Sequence, residues 1–150
     1  MARKTWYLGA WIEHSGWYPD FQRRLYRRDQ AEFSGLVHES LHFNGKIGRP
    51  SGDLLHYTVR SFDEHESNVE HYTTLAAQQM FAEGKRNWKR AMWLATPWSW
   101  FHNFVLRGGF MDGYRGALIA RMAARSVRLK YAKLGKLLQA QTGSRDGAAS

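Results

Sequence analysis

The sequence predicts an α+β protein in which short strands come first along the chain and helices follow. Residues 1–60 contain short aromatic and β-branched runs separated by Gly and Pro turns, a pattern typical of strands. From Ser61 onward the apolar residues recur at helical spacing. A chain of 150 residues has the length of one ordinary domain, and its seven Trp argue against disorder. We therefore expect a strand region at 1–60, a basic helical region at 61–141 that is a candidate for membrane association, and a flexible tail at 142–150.

Three segments are predicted to be strands. Thr5–Ile12 is aromatic and β-branched and precedes the turn residues Gly16 and Pro19. Apolar residues sit among arginines in Arg24–Arg28, and Leu54–Val59 follows a loop rich in Gly. A few strands without an obvious partner sheet suggest a piece of a larger fold.

The first and last predicted helices have clear boundaries in the sequence. Ser61–Gly84 begins with a residue that can cap a helix, and Glu64 completes a capping box three residues later. The last helix is expected to open at Asp112 or Gly113 and to run to about Gln141. Asp112 occupies the position of an N-cap, for which its side chain is well suited.

The middle of the helical region contains a proline. We expect one helix over Asn87–Ala95 and another over Trp98–Leu106, with a break at Pro97, because proline cannot donate a helix hydrogen bond. The most apolar stretch of the chain is Ala91–Leu106. It is too short and too polar to span a bilayer comfortably, so membrane association would be peripheral.

Charge is distributed unevenly along the chain, whose formal net charge is +9. From Gly84 to Arg145 there are thirteen Lys or Arg and one acidic residue, Asp112, whereas residues 1–83 carry nine basic and eleven acidic groups. Basic residues interleaved with aromatic ones suit either an anionic membrane surface or nucleic acid. The sequence contains no nucleic-acid-binding motif, so a membrane surface is the favoured partner.

The last predicted helix carries a cationic stripe formed by Arg121, Arg125, Arg128 and Lys136, at or near three- and four-residue spacings. No acidic residue within the helix can form an i,i+4 ion pair with these cations. Two interpretations remain open. The helix either packs on its own domain with a solvated basic face, or it lies near anionic lipid head groups with Trp98 and Trp100 also in contact with the membrane.

Residues 38–42 read HESLH and match the HExxH pattern of zinc hydrolases. In that pattern two His on one helix face bind the metal and Glu acts as the base. Gly35 and Gly45 confine this segment to nine residues, which leaves little length for a helix that aims metal ligands. Zinc hydrolysis is therefore ranked third, after the two functions described below.

A cluster of arginines that includes Arg24, Arg27 and Arg28 precedes this segment. Guanidinium groups bind phosphates in a bidentate manner, and the nearby carboxylate of Glu39 could act as a base toward a hydroxyl nucleophile. The alternative is a solvated edge strand whose charges prevent edge-to-edge pairing, and composition alone favours this alternative.

Several motifs, taken jointly and in order, resemble the C-terminal half of bacterial family 2 glycosyltransferases. The relevant group is the lipopolysaccharide core type, β-glucosyl or heptosyl transferases that act at the inner membrane. The resemblance covers about residues 5–135. The motifs are GWYP at 16–19, RLYRR at 24–28, VHE at 37–39, LLH at 54–56 and GGFMDG at 108–113.

The resemblance implies a GT-A fold whose N-terminal half binds the nucleotide sugar and carries an Asp-x-Asp metal motif. This chain contains no Asp-x-Asp, so we expect it to be an acceptor-side fragment that is inactive alone. The implied reaction is inverting transfer from a nucleotide-sugar donor to a lipid-linked or lipopolysaccharide-core acceptor. The implied enzyme uses a divalent metal, Mg or Mn, and is cytoplasmic and peripheral to the inner membrane. A separate N-terminal half is a candidate partner.

The resemblance also implies roles for single residues. Glu39 would be the general base, and His38 would either orient it or approach the diphosphate. Arg24, Arg27 and Arg28 would lie near phosphates of the donor or acceptor. The remaining implied sites are an acceptor-sugar platform of Trp11, Trp17 and Tyr18, and a metal contact from His56.

An alternative function from a different class is a non-enzymatic basic module that binds a membrane surface or a partner chain.

Overall fold

The computed structural model describes residues 1–21, 31–34, 40–43, 48 and 51–146. It confirms the α+β class, with strands preceding helices along the chain. The predicted strand Arg24–Arg28 lies outside the described residues. The strands are β1 Ala2–Tyr7, β2 Ala10–Ile12, β3 Asp20–Phe21, β4 Ala31–Ser34, β5 Ser40–Phe43 and β6 Asp53–Val59. The helices are α1 Phe62–Ala82, α2 Trp88–Phe101 and α3 Gly113–Asp146, with a π-helical turn at His102–Leu106 and a 3-10 turn at Gly109–Asp112.

Strand β1 is the centre of a mixed sheet. It pairs antiparallel with β2 and β3 and parallel with β6, which confirms the strand predicted at Leu54–Val59. The prediction of one continuous strand over Thr5–Ile12 is wrong, because the chain reverses at Leu8 and Gly9. Both residues have positive φ, 43° and 87°, as a two-residue turn between twisted strands requires. Strands β4 and β5 form a separate antiparallel hairpin.

The two faces of the mixed sheet differ in burial. Thr5, Tyr7 and Ile12 point inward and are buried, whereas Trp6 and Trp11 point to the opposite face, as the two-residue period of a strand demands. The inward face meets the helices in one hydrophobic core. That core consists of Tyr7, Ile12, Val59, Val69, Leu118, Ile119 and Met122.

The predicted capping box starts α1. The hydroxyl of Ser61 accepts a hydrogen bond from the Glu64 amide at 3.1 Å. The Glu64 carboxylate in turn accepts from the amide of Arg60, one residue before the cap, at 2.8 Å. These two bonds satisfy backbone donors that a helix start leaves unpaired, so the local signal is sufficient to position the helix.

The prediction of a helix break at Pro97 is wrong. Helix α2 runs through Pro97 without interruption and is followed directly by the π-helical turn, in which the side-chain amide of Asn103 donates from Nδ2 to the Ser99 carbonyl at 2.8 Å. Proline removes the hydrogen bond to the Trp93 carbonyl. Trp93 and Pro97 both lie on the exposed side of α2, where water can bond to that carbonyl.

Helix α3 is the longest helix of the helical region and extends five residues past the predicted end at Gln141. Helix α1 runs parallel to it, because Glu66 pairs with Arg125 and Glu70 pairs with Lys133 further along both helices. Helix α2 runs antiparallel to α3. Its first residue, Trp88, lies against Gly135, so close that a Cβ there would stand 2.8 Å from the indole ring.

Candidate functional site

An aromatic cluster covers the outward face of the mixed sheet. The Trp6 and Trp11 rings meet edge to face at 5.0 Å, and the ring of Tyr57 lies 5.4 Å from Trp11 and 6.0 Å from Trp6. Tyr57 remains 60% exposed. Such aromatic faces can pack on the apolar CH groups of a sugar ring. The sequence analysis selected Trp11 but missed Trp6 and Tyr57, although cross-strand pairing places all three on one face.

The structure does not bring the predicted platform residues together. Trp17 turns toward the core, where its ring meets Tyr7 edge to face at 5.3 Å and lies 6.3 Å from His65. Tyr18 instead directs its hydroxyl to the Asp53 carboxylate, 3.3 Å from each oxygen. Of the three, only Trp11 lies in the aromatic cluster, so an acceptor role for Trp17 and Tyr18 remains a prediction.

Charged groups border the aromatic cluster. The Lys4 ammonium donates to the Glu13 carboxylate at 2.5 Å and lies 5.9 Å from the centre of the Tyr18 ring. Their hydrogen bond raises the pKa of Lys4 and lowers the pKa of Glu13. Partial desolvation, with Asp53 adding to it, raises the pKa of Tyr18. This side of the sheet therefore offers aromatic surface beside ionised groups that can hydrogen-bond to hydroxyls.

Asp112 joins the N-terminal loop to the helical region. Its carboxylate is 6% exposed and accepts hydrogen bonds from the Glu13 amide at 3.2 Å and the His14 amide at 3.1 Å. It also accepts from the Ser15 hydroxyl at 2.8 Å, and His14 Nδ1 lies 3.2 Å from its other oxygen. The expectation that Asp112 acts as the N-cap of α3 is wrong, because its side chain is committed to residues almost 100 positions earlier.

The Ser15, His14 and Asp112 side chains do not form a nucleophile triad. Both Ser15 and His14 bond to the carboxylate, whereas a triad requires the base to contact the nucleophile. Ser15 is fully buried, so its hydroxyl cannot reach a substrate. The cluster is a structural joint between the sheet and the helices.

Glycines let the backbone approach closely at this joint. Gly109 is buried against Gly116, where an added Cβ would stand 1.7 Å from the Gly109 carbonyl oxygen. Arg115 donates from Nε to the Leu8 carbonyl at 2.9 Å, which ties the β1–β2 turn to the start of α3. The GGFMDG motif therefore holds the N-terminal loop in place through Gly108 and Gly109, which lie against His14 and Ser15, and through Asp112.

A second polar pair lies in the core. The Tyr7 hydroxyl and His65 Nδ1 are 2.8 Å apart, a bond that a neutral imidazole accepts. Burial lowers the pKa of His65, and burial raises the pKa of Tyr7 to about 12. Both groups are thus held neutral around physiological pH, and the Tyr7 side chain is fully buried.

The described residues contain no group of three or more His, Cys, Asp or Glu arranged to hold a metal ion. His56 lies on β6 opposite Thr5, on the inward side of the sheet. The second half of the HExxH segment, Ser40–Phe43, is strand β5 and not the helix that a zincin motif uses. Among the predicted site residues, Glu39, His38, Arg24, Arg27 and Arg28 lie outside the described residues.

The cationic stripe of α3 is partly neutralised from a neighbouring helix. Arg125 pairs with Glu66 of α1 at 2.8 Å, and Lys133 pairs with Glu70 at 2.7 Å. The predicted helix offers these cations no i,i+4 acidic partner, and the acids that pair with them come from α1 instead. Arg121 and Arg128 are exposed and make no ion pair with any residue in the described ranges.

Trp98 and Trp100, the predicted membrane-contact aromatics, are both exposed. No helix among residues 51–146 or elsewhere in the described ranges is long and apolar enough to cross a membrane. The helical region also has a cleft of about 560 Å³ that the sequence did not signal, because its lining comes from three separate helices. The lining includes Lys85, Arg86, Trp88, Lys130 and Tyr131.

Comparison with known proteins gives a relative of known class. The chain is 28% identical to the lipopolysaccharide core biosynthesis glycosyltransferase LpsC of Rhizobium meliloti (strain 1021) over an alignment that covers 88% of this chain and 53% of LpsC. The chain thus spans about half the length of this relative. No family model matches the sequence, and no solved structure matches it significantly. The similarity suggests a distant glycosyltransferase relationship, which agrees with the coarse form of the resemblance in the sequence.

Proposed function

We propose that this chain is the acceptor-side part of an inverting family 2 glycosyltransferase of GT-A type. The observation that carries the proposal is the similarity to LpsC across 88% of the chain. The proposed reaction transfers a sugar from a nucleotide donor to a lipid-linked or lipopolysaccharide-core acceptor at the cytoplasmic face of the membrane.

In this proposal Glu39 removes the proton from an acceptor hydroxyl, and that oxygen forms the new bond to the anomeric carbon. The acceptor oxygen attacks from the side opposite the donor phosphate. The bond between the anomeric carbon and the phosphate oxygen breaks, and the nucleoside diphosphate leaves with the bonding electrons. Arg24, Arg27 and Arg28 would balance the charge of the leaving diphosphate. The described residues offer no cluster that fits a metal, so no step of this chain is assigned to one.

The outward face of the sheet is the proposed acceptor surface. Trp11 lies there with Trp6 and Tyr57, and the ionised Lys4 and Glu13 lie beside them. Aromatic faces would hold the acceptor sugar by packing, while the charged rim would orient its hydroxyls.

The test is a sugar-transfer assay with a full-length enzyme that carries these residues. Glu39→Gln should lower kcat by roughly two to four orders of magnitude, the usual scale of general-base catalysis, while donor binding is retained. Trp11→Ala should raise KM for the acceptor and leave donor binding unchanged. The matched control is Glu83→Gln, which removes an exposed carboxylate at the end of α1.

Near-normal turnover in Glu39→Gln would reassign the base. Absence of any transfer by the unmodified full-length enzyme would instead favour the second candidate, a basic module without activity of its own. That candidate is favoured by one separate observation, the row of exposed large apolar side chains between residues 93 and 114.

A further inference from the structure

Helix α2 has its large apolar residues on the wrong side for a soluble helix. The partly buried positions toward α3 include the small Ala91, Ala95 and Ser99, with the larger Trp88 packed on Gly135 at the start of the helix. The outward positions are large: Trp93 is 77% exposed and Trp98 is 58% exposed. Soluble proteins place such residues inside, so this arrangement indicates that another apolar phase covers the outer face.

The exposed apolar row continues beyond α2 through the π-helical and 3-10 turns. Ring contacts connect the parts of this row. The Trp100 and Phe104 rings stack with their centres 4.9 Å apart, and the Phe104 ring meets the Phe110 ring edge to face at 6.5 Å. We call this surface the apolar ridge. It comprises Trp93, Leu94, Trp98, Trp100, Phe101, Val105, Leu106, Phe110, Met111 and Tyr114, all exposed.

The chemistry of the ridge fits lipid. Small residues at helix contacts with large residues outward is the pattern that helices adopt in a bilayer, where close packing and not water exclusion holds them together. Trp and Tyr are enriched at the depth of the head groups. Helix α2 has 14 residues, and its length of about 21 Å is below the roughly 30 Å of a hydrocarbon core. The ridge can therefore lie in the interface between water and lipid, but α2 is too short to span the bilayer.

Charge selects the kind of surface. Exposed cations accompany the ridge, with Lys89 and Arg90 before it at the start of α2 and Arg107 within it, after the π-helical turn. No acidic residue occurs between Gly84 and Met111. A second copy of this chain would bring like charges together, which disfavours self-association through the ridge. An anionic bilayer complements the cations and accepts the apolar side chains at once.

We propose that the apolar ridge inserts into the head-group region of an anionic bilayer, with α2 lying in the plane of the membrane. The inference stands on the ridge and its flanking charges and does not require sugar transfer. It also places the membrane contact on α2 and the turns that follow it, and not on the cationic stripe of α3, because Arg125 of that stripe is already paired with Glu66.

The absence of cysteine from the sequence permits a direct probe. Leu94→Cys is labelled with an environment-sensitive fluorophore, and Gln78→Cys, on the exposed face of α1, is the matched control. On mixing with phosphatidylcholine vesicles that contain phosphatidylglycerol, the Leu94 label should shift to the blue and be quenched by brominated lipid. The Gln78 label should do neither. A Leu94 label that stays in a water-like environment while the protein sediments with vesicles would overturn the proposal.

Affinity measurements separate the ridge from the stripe. Trp93→Ser and Trp98→Ser should each weaken vesicle binding about tenfold or more at every salt concentration, because each removes apolar insertion. Replacing Lys89 and Arg90 by Gln should weaken binding about fivefold per cation at low salt only. Unchanged binding in the Trp variants, or a larger loss in an Arg121→Gln/Arg128→Gln variant, would overturn the proposal. So would concentration-dependent dimerisation that the Trp variants abolish in a chain that does not bind vesicles.

Discussion

Replacing Asp112 by Ala should uncouple the N-terminal loop from the helical region. The carboxylate accepts from two backbone amides, from the Ser15 hydroxyl and from the His14 ring, all between 2.8 and 3.2 Å. The side chain is 6% exposed, so water does not replace it without rearrangement. The loop and the start of α3 would lose their main polar connection.

The expected cost follows from which donors lose their acceptor. Ser15 is fully buried, and an orphaned hydroxyl there costs about 1–3 kcal/mol. The amides of Glu13 and His14 are closer to solvent, so each should contribute only about 0.5–1 kcal/mol. We therefore expect Asp112→Ala to lower the free energy of unfolding by about 2–5 kcal/mol. Asp112→Asn keeps one acceptor oxygen and should cost about half as much.

The assay is urea unfolding followed both by tryptophan fluorescence and by far-ultraviolet circular dichroism. Asp63→Ala is the matched control, since it removes an exposed carboxylate from the first turn of α1 and should cost no more than about 1 kcal/mol. If Asp112→Ala does not fold, Asp112→Asn provides the measurement. The reasoning is refuted if both Asp112 variants unfold within about 0.5 kcal/mol of the unmodified chain, the range of neutral surface changes.

Two further predictions concern the core and the glycine contact. Gly116→Ala should destabilise the fold by about 1–3 kcal/mol, because its Cβ would stand 1.7 Å from the Gly109 carbonyl oxygen, whereas Gly→Ala within a helix ordinarily stabilises. A higher urea midpoint in this variant would contradict the close contact. The free energy of unfolding should fall as pH drops below about 6.5, because burial lowers the pKa of His65 and the unfolded chain then binds the proton more readily. The loss should level off below the folded-state pKa. His65→Asn should flatten this dependence below about pH 6.5, and an unchanged slope would place the titration elsewhere.

Local signals predicted the elements whose stabilising contacts lie within a few residues. The capping box of Ser61 and Glu64 positions the start of α1, and the β-branched and aromatic run at Leu54–Val59 is strand β6. The order of strands before helices was also readable, as was the concentration of positive charge after residue 84. These features depend on spacings of two to four residues, which a sequence displays directly.

Tertiary structure decided the features that depend on distant partners. Asp112 has the spacing of an N-cap, yet it bonds residues 13–15 because the fold places a row of hydrogen-bond donors beside it. The chain turns at Leu8 because β1 must pair with β2 on one side and β6 on the other. No spacing within either segment records those partners.

The sequence by itself determined an α+β order, the start of α1 and a basic helical half carrying aromatic residues. Only the tertiary structure decided which aromatic residues remain exposed and which cations remain unpaired. The periodicity of α2 defines two faces, but it does not specify that the face with Ala91 and Ala95 packs on α3 while Trp93 and Trp98 face outward. Likewise α3 has no acidic neighbour in sequence for Arg125, because the partner Glu66 belongs to α1. Burial and charge pairing are properties of surfaces that meet in space, and local sequence spacing does not specify which surfaces meet.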